Sequence, residues 1–182
     1  LRRAGYDTYP EGMVWSAEDQ ESTMGCNTRM WSRIMVERLQ LHERLGMDDA
    51  AIAAEIKGRL LRKYEQHLPE RPGAVAAVHR IAARYKVALA SGSPNELATF
   101  VMKATGLDQV FLAATYGDDV VHGKPAPDIY LRVLAKIGVA PENAVGIEDS
   151  GNGIRSLKAA GMGIVAAPGR VVIRGATRSV AR

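Results

Sequence analysis

Cys26 is the only cysteine among 182 residues. No internal disulfide can close, no cysteine-based zinc site can assemble, and a reducing compartment fits. No apolar run approaches the roughly 18 residues that a membrane span requires. A secretory leader is not expected either, because Leu1-Arg2-Arg3 runs into polar Gly5-Tyr6-Asp7-Thr8 instead of an apolar stretch with a cleavage site. The expected location is cytoplasmic. His42, His67, His79 and His122 show no metal-ligand spacing, and none is assigned a role. Repeats and low-complexity segments are lacking. Charge of one sign is scarce as well: 24 Lys and Arg against 20 Asp and Glu leave +4. Arg170, Arg174, Arg178 and Arg182 in the tail account for that excess, so no basic face for nucleic acid is expected.

What is present is a balanced globular composition, 47% hydrophobic and 24% charged, in two textures. The first half reads as helices. Ser16-Ala17-Glu18-Asp19 has a capping-box pattern, and Asn27 or Thr28 can cap a second helix carrying Trp31, Ile34, Met35, Arg38 and Leu39. Another begins near Asp48 with a stripe of Ile52, Ile56, Leu60, Leu61 and Tyr64, ending before Pro69. After Pro72-Gly73, short apolar runs alternate with amphipathic segments, as βα units do. Strands are expected at residues 87–90, 111–115, 143–147 and 163–167. Helices are expected from Asn95 to about Thr105, Asp128 to Ile137 and Gly151 to Ala160. This gives a helical part (residues 1–68), an α/β part (69–168) and a basic tail (169–182).

Three stretches carry chemistry: Ala88-Leu89-Ala90-Ser91-Gly92-Ser93, Gly123-Lys124-Pro125-Ala126-Pro127-Asp128, and Gly146-Ile147-Glu148-Asp149-Ser150-Gly151-Asn152-Gly153-Ile154. Ser91 and Glu148-Asp149 fall at the carboxyl ends of expected strands, where open parallel sheets gather reactive groups. A serine there, with the backbone N–H groups of Gly92 and Ser93 and a helix start, favours an anion; equally, Ser91 can simply cap the following helix. Lys124 sits in a loop before a proline, from which its ammonium can reach a site as a point charge. Two adjoining carboxylates repel unless a cation or base lies between them, and magnesium prefers oxygen ligands and substrate phosphate. Ser93 and Asn95 read as ligands of a substrate or as turn residues. Asp128 reads as a helix-start residue.

In order and spacing these stretches resemble the haloacid dehalogenase superfamily, in the subfamily of β-phosphoglucomutase and small sugar-phosphate phosphatases. The resemblance implies a Rossmann-like parallel-sheet α/β core with a small α-helical cap domain. It also implies a Mg2+-dependent phosphatase acting through an aspartyl-phosphate intermediate on a small phosphorylated metabolite. Ser91 and Lys124 would be catalytic, with Lys124 pairing both nucleophile and phosphate. Asp149 would be the direct metal ligand, and Glu148 a ligand or an acceptor through water. Ser93 and Asn95 correspond to residues that hold a distal phosphate or substrate hydroxyls. Thr23-Met24-Gly25-Cys26-Asn27-Thr28-Arg29 resembles the cap's specificity loop, from which Arg29 can reach the distal end of a substrate. Cys26 is expected to be inert, and Met24, Trp31 and Met35 to pack the cap interior.

One element of the family pattern is missing. The Asp-x-Asp-Gly-Thr/Val motif that ends the first strand and supplies the nucleophile does not occur; Asp7-Thr8-Tyr9, Asp48-Asp49 and Asp118-Asp119 all lack its context. With no initiator methionine, the expectation is a truncated chain, poorly stable and without phosphatase activity, its core lacking the first strand. Rival expectations are a phosphosugar mutase and a non-catalytic remnant of the fold. A dehalogenase is disfavoured. No membrane or nucleic-acid partner is expected, and the default assembly is a monomer.

Overall fold

Capping side chains set the helix starts in the first half. The structure, a computed structural model, describes residues 15–167; Asp7 and the arginines from Arg170 onward lie outside them. α1 (Ala17–Thr23) opens on the reciprocal Ser16–Asp19 box, and α2 (Thr28–Leu39) on Asn27, whose side chain accepts from the Met30 N–H. Gln40 then turns left-handed at φ 51°. That breaks the ladder and starts a separate short helix, α3 (Leu41–Leu45), which periodicity alone did not separate. α4 (Asp49–Gln66) begins at Asp48, which accepts from the Ala51 N–H. α2 packs on α4, and the centre of this half is Leu39 and Leu41, 4% and 1% exposed, with Trp15, Met35, Val36, Leu45, Met47 and Ile52 around them. Each such leucine contributes about 1.5–3 kcal/mol of burial.

The second half alternates helices and parallel strands. In order these are α5 (Ala74–Ala82), β1 (Leu89–Ser91), α6 (Asn95–Ala104), β2 (Ala114–Tyr116), α7 (Asp128–Ile137), β3 (Val145–Glu148), α8 (Gly151–Ala159) and β4 (Gly163–Ala166). Short 3-10 turns occupy Leu107–Gln109, Gly117–Asp119 and Pro141–Asn143. β1 pairs with β2, Leu89 opposite Ala114 and Ser91 opposite Tyr116. β3 pairs with β4, Val145 opposite Gly163 and Glu148 opposite Ala166. Both pairings are parallel, and they form two ladders that are not hydrogen-bonded to each other.

Ile129, Tyr130, Leu157 and Ala160 form the core between α7 and α8, with Ala90, Val120, Met162 and Ile164 packed against it. The Ser156 hydroxyl donates to the Ala126 carbonyl at 2.6 Å, tying α8 to the loop before α7. The strands are shorter than the apolar runs suggested, and the one expected at 111–115 lies at 114–116. Among the described residues, nothing packs on the face of β3 and β4 away from α8, where Val145, Ile147 and Val165 are 65%, 59% and 50% exposed.

Candidate functional site

Lys124 reaches inward from the loop between β2 and α7, through a cis bond to Pro125. It is 4% exposed. Its ammonium donates to the Ala90 carbonyl in β1 at 3.3 Å and to Glu148 Oε2 at the end of β3 at 3.2 Å. It also lies 4.8 Å from the centre of the Tyr130 ring. One cation therefore spans the space between the two ladders.

Glu148 is correspondingly crowded. Oε2 also accepts from the Tyr130 hydroxyl at 3.0 Å, and Oε1 from the Ser150 hydroxyl at 2.5 Å. Ser150 Oγ in turn accepts from the Gly153 N–H at 3.0 Å and caps α8. A Cβ at Gly153 would run into the Glu148 carboxylate, so only glycine lets the first turn of α8 come this close. Burial pushes the Glu148 pKa up, but the Lys124 charge and the hydrogen bonds from Ser150, Lys124 and Tyr130 overcome it and hold the carboxyl below its ordinary value. Burial first, and then the Glu148 charge, push the Tyr130 hydroxyl well above its usual range.

Ser91 ends β1 beside the Ala90 carbonyl. Its Oγ accepts from the Ser93 N–H at 3.2 Å. It does not cap α6: the N-cap is Pro94, with no side-chain bond, and the Asn95 N–H is taken by Asp118 Oδ2 at 2.9 Å. Among the described residues the Ser91 hydroxyl proton thus stays free for an acceptor. Asn95 is exposed, its amide oxygen accepting from Thr99. Asp149 is exposed and, among the described residues, makes no side-chain hydrogen bond or ion pair. Asp128 begins α7 and lies 3.2 Å from the exposed His122 ring.

The segment Thr23 to Asn27 enters this region from the helical half. The Gly25 and Cys26 carbonyls lie 2.7 and 2.9 Å from where a Cβ on Gly92 would be, and Gly25, at φ +78°, faces the Ser150 hydroxyl across α8's start. Asn152, 6% exposed, donates to the Ser22 and Met24 carbonyls at 3.1 and 2.9 Å. Arg155 holds the Asn152 amide oxygen at 2.8 Å. The loop segment is therefore fastened to the α8 start. Arg29 is exposed and, among the described residues, makes no side-chain hydrogen bond or ion pair. Burial raises the Cys26 thiol pKa. The segment adjoins a cavity of about 500 Å³ between the two halves, floored by Gly92, Ser93, Pro94 and Leu97.

The donor set admits one magnesium ion beside Asp149, since such an ion keeps several waters and needs only one or two carboxylates plus phosphate oxygens. Among the described residues no group of three acidic, histidine or cysteine side chains gathers to form a closed cage. Both Glu148 oxygens are already hydrogen-bonded, leaving the freer carboxylate to Asp149. Tyr130 and Asn152 were not singled out from sequence. Tyr130 is one apolar position among several on α7, and Asn152 stands two residues into a helix where polar side chains are common.

A family model described as haloacid dehalogenase-like hydrolase matches residues 4–161. The phosphorylated carbohydrates phosphatase of Thermotoga maritima is 32% identical over 152 residues, 83% of this chain and 68% of that protein. A probable pseudouridine-5'-phosphatase of Drosophila melanogaster is 29% identical, over 87% of this chain and 70% of that protein. Among solved structures, CbbY from Rhodobacter sphaeroides in complex with phosphate superposes with a TM-score of 0.68 at 26% identity. That match covers 92% of this chain and 75% of CbbY.

Proposed function

This chain belongs to the haloacid dehalogenase-like hydrolases, and from that premise we propose that it works as a magnesium-dependent phosphatase on a small phosphorylated metabolite. The observation that carries the proposal is the buried Lys124 ammonium, shared between the β1 carbonyl next to Ser91 and the Glu148 carboxylate. Phosphoryl transfer asks for a held phosphorus and neutralised peripheral oxygens. The Ser91 hydroxyl and the Gly92 N–H hold the phosphate, with the Ser93 hydroxyl beside them. Lys124 neutralises its charge, with Glu148 and Tyr130 fixing the ammonium. Magnesium at Asp149 would supply further charge compensation. Glu148 orients through hydrogen bonds and does not take a place in the metal shell. The helical half acts as a cap, and a cytoplasmic site of action belongs to the same reading.

The named relatives reported above include a phosphatase of phosphorylated carbohydrates, which favours hydrolysis over a phosphosugar mutase. The reading further includes an aspartyl-phosphate intermediate. The sequence holds no Asp-x-Asp-Gly to attack with, so in this reading a segment outside it provides the carboxylate.

The test is hydrolysis of a chromogenic phosphate ester with magnesium, by this polypeptide alone and with a strand ending in Asp-x-Asp-Gly-Thr placed before it. Turnover is expected only for the second protein. There Asp149→Ala, or chelation of the metal, should cost at least ~100-fold, the scale of one lost charge-stabilising group. Turnover unchanged by Asp149→Ala removes the metal assignment, and robust hydrolysis by the polypeptide alone removes the nucleophile assignment.

A further inference from the structure

The cavity between the halves has a composition that a polyol would find poor. Its walls on the helical side are Trp15, Met24, Trp31, Met35, Ile56 and Leu60. Trp15 and Trp31 are the two tryptophans of the chain. The polar side chains that reach it are mostly occupied. Gln20 Oε1 accepts from Trp15 Nε1 at 3.2 Å, Thr23 Oγ1 donates to the Asp19 carbonyl at 3.0 Å, and Lys57 pairs with Glu96 at 2.7 Å. The Gln20 amide nitrogen and the Ser93 hydroxyl are left without partners among the described residues. The floor is continuous with the proposed phosphate loop through Gly92 and Ser93.

We propose that this cavity receives the ester group of the substrate, and that this group is an aromatic or similarly flat, apolar ring and not a polyol chain. The inference rests on the phosphatase reading and deepens it: phosphate at Ser91 to Ser93, ring among the tryptophans. Small-molecule sites run from roughly 300 to 1,000 Å³ and are mostly apolar with a few placed polar groups, a description this cavity meets. Each hydroxyl buried there without a partner costs about 1–3 kcal/mol. A flat ring has no such cost, and it gains contact with indole faces and methionine sulfur. The two relatives named above do not decide the matter, since one acts by its name on carbohydrates and the other on a nucleoside phosphate.

Because both tryptophans line this cavity, intrinsic fluorescence reports on it directly. The full chain with magnesium is titrated with phenyl phosphate, glycerol 3-phosphate and inorganic phosphate, by fluorescence and calorimetry. Phenyl phosphate should shift tryptophan emission and bind at least ~10-fold tighter than glycerol 3-phosphate, the scale of one aromatic contact plus one avoided unpaired hydroxyl. Trp31→Ala should erase that preference, and the wild-type comparison stands even where the variant folds poorly. Equal or tighter binding of glycerol 3-phosphate, with inorganic phosphate bound, overturns the cavity assignment alone. Failure of all three to bind overturns the phosphatase reading together with it.

Discussion

Removing the Lys124 ammonium would strand the Glu148 carboxylate at a position where its side chain is 12% exposed. Breaking one partner of a buried pair costs about 3–5 kcal/mol, whereas replacing both is often close to neutral. Lys124→Met should therefore lower the denaturant-derived stability by that amount, and Lys124→Met with Glu148→Gln should regain most of it. A double variant no more stable than the single one would mean that the pair is not coupled. Tyr130→Phe, which removes a hydrogen bond to a charged acceptor, should cost about 1.5–3 kcal/mol in the same measurement. Lys124 and Glu148 were legible in the sequence because both stand in loop or strand-end motifs. Tyr130 was not: its role depends on which face of α7 turns toward β3, and one tyrosine on an amphipathic helix does not announce that.

Among the elements, α1 offers a pH test. The Ser16 N–H is the largest influence on Asp19, and together with the Ser16 hydroxyl and Arg38 it outweighs burial and holds the carboxyl below its ordinary 3.8. A carboxyl depressed by folding stabilises fully above its unfolded value, and that contribution is lost as pH falls from about 3.8 through the folded value. The α1 amides should lose exchange protection over that acid range, and Asp19→Asn should exchange fast at neutral pH already. An unchanged profile in the variant would show that the box does not hold the helix. At the other end of the site, Asn152→Ala should free the Ser22 and Met24 carbonyls. Proteolytic cleavage within residues 22–27 should then quicken, with Arg155 left without its partner. Helix starts were legible because caps are local, and Ser16, Asn27 and Asp48 all do what their residue type favours. α3 was hidden by Gln40, whose left-handed turn follows from no rule of residue type, and strand limits were blurred because apolar runs extend past the paired residues.

For the molecule as a whole, composition and βα alternation gave parallel strands with helices between them, and the structure has both. The pairing was not legible. A short apolar strand carries no mark of its neighbour, and the described residues form two ladders with Val145, Ile147 and Val165 exposed on one side. Parallel strands are ordinarily covered on both faces, and contiguous exposed apolar area favours association. Ile147→Lys with Val165→Thr should reduce binding of a hydrophobic dye and slow aggregation, while changing stability by no more than about 0.5 kcal/mol, as befits exposed positions. A large loss of stability would show that this face is packed in solution.

The ammonium of Lys124 fastens β1 to β3 where no backbone bond does, and it is shielded from ions in the medium. Exposed pairs such as Arg33 with Glu37 fade as salt rises, but a buried pair is screened far less. Cohesion between the two ladders should thus survive brine that strips the surface of its ionic ties, and weaken when the carboxylate takes up a proton, the shared apolar core around Leu157 remaining.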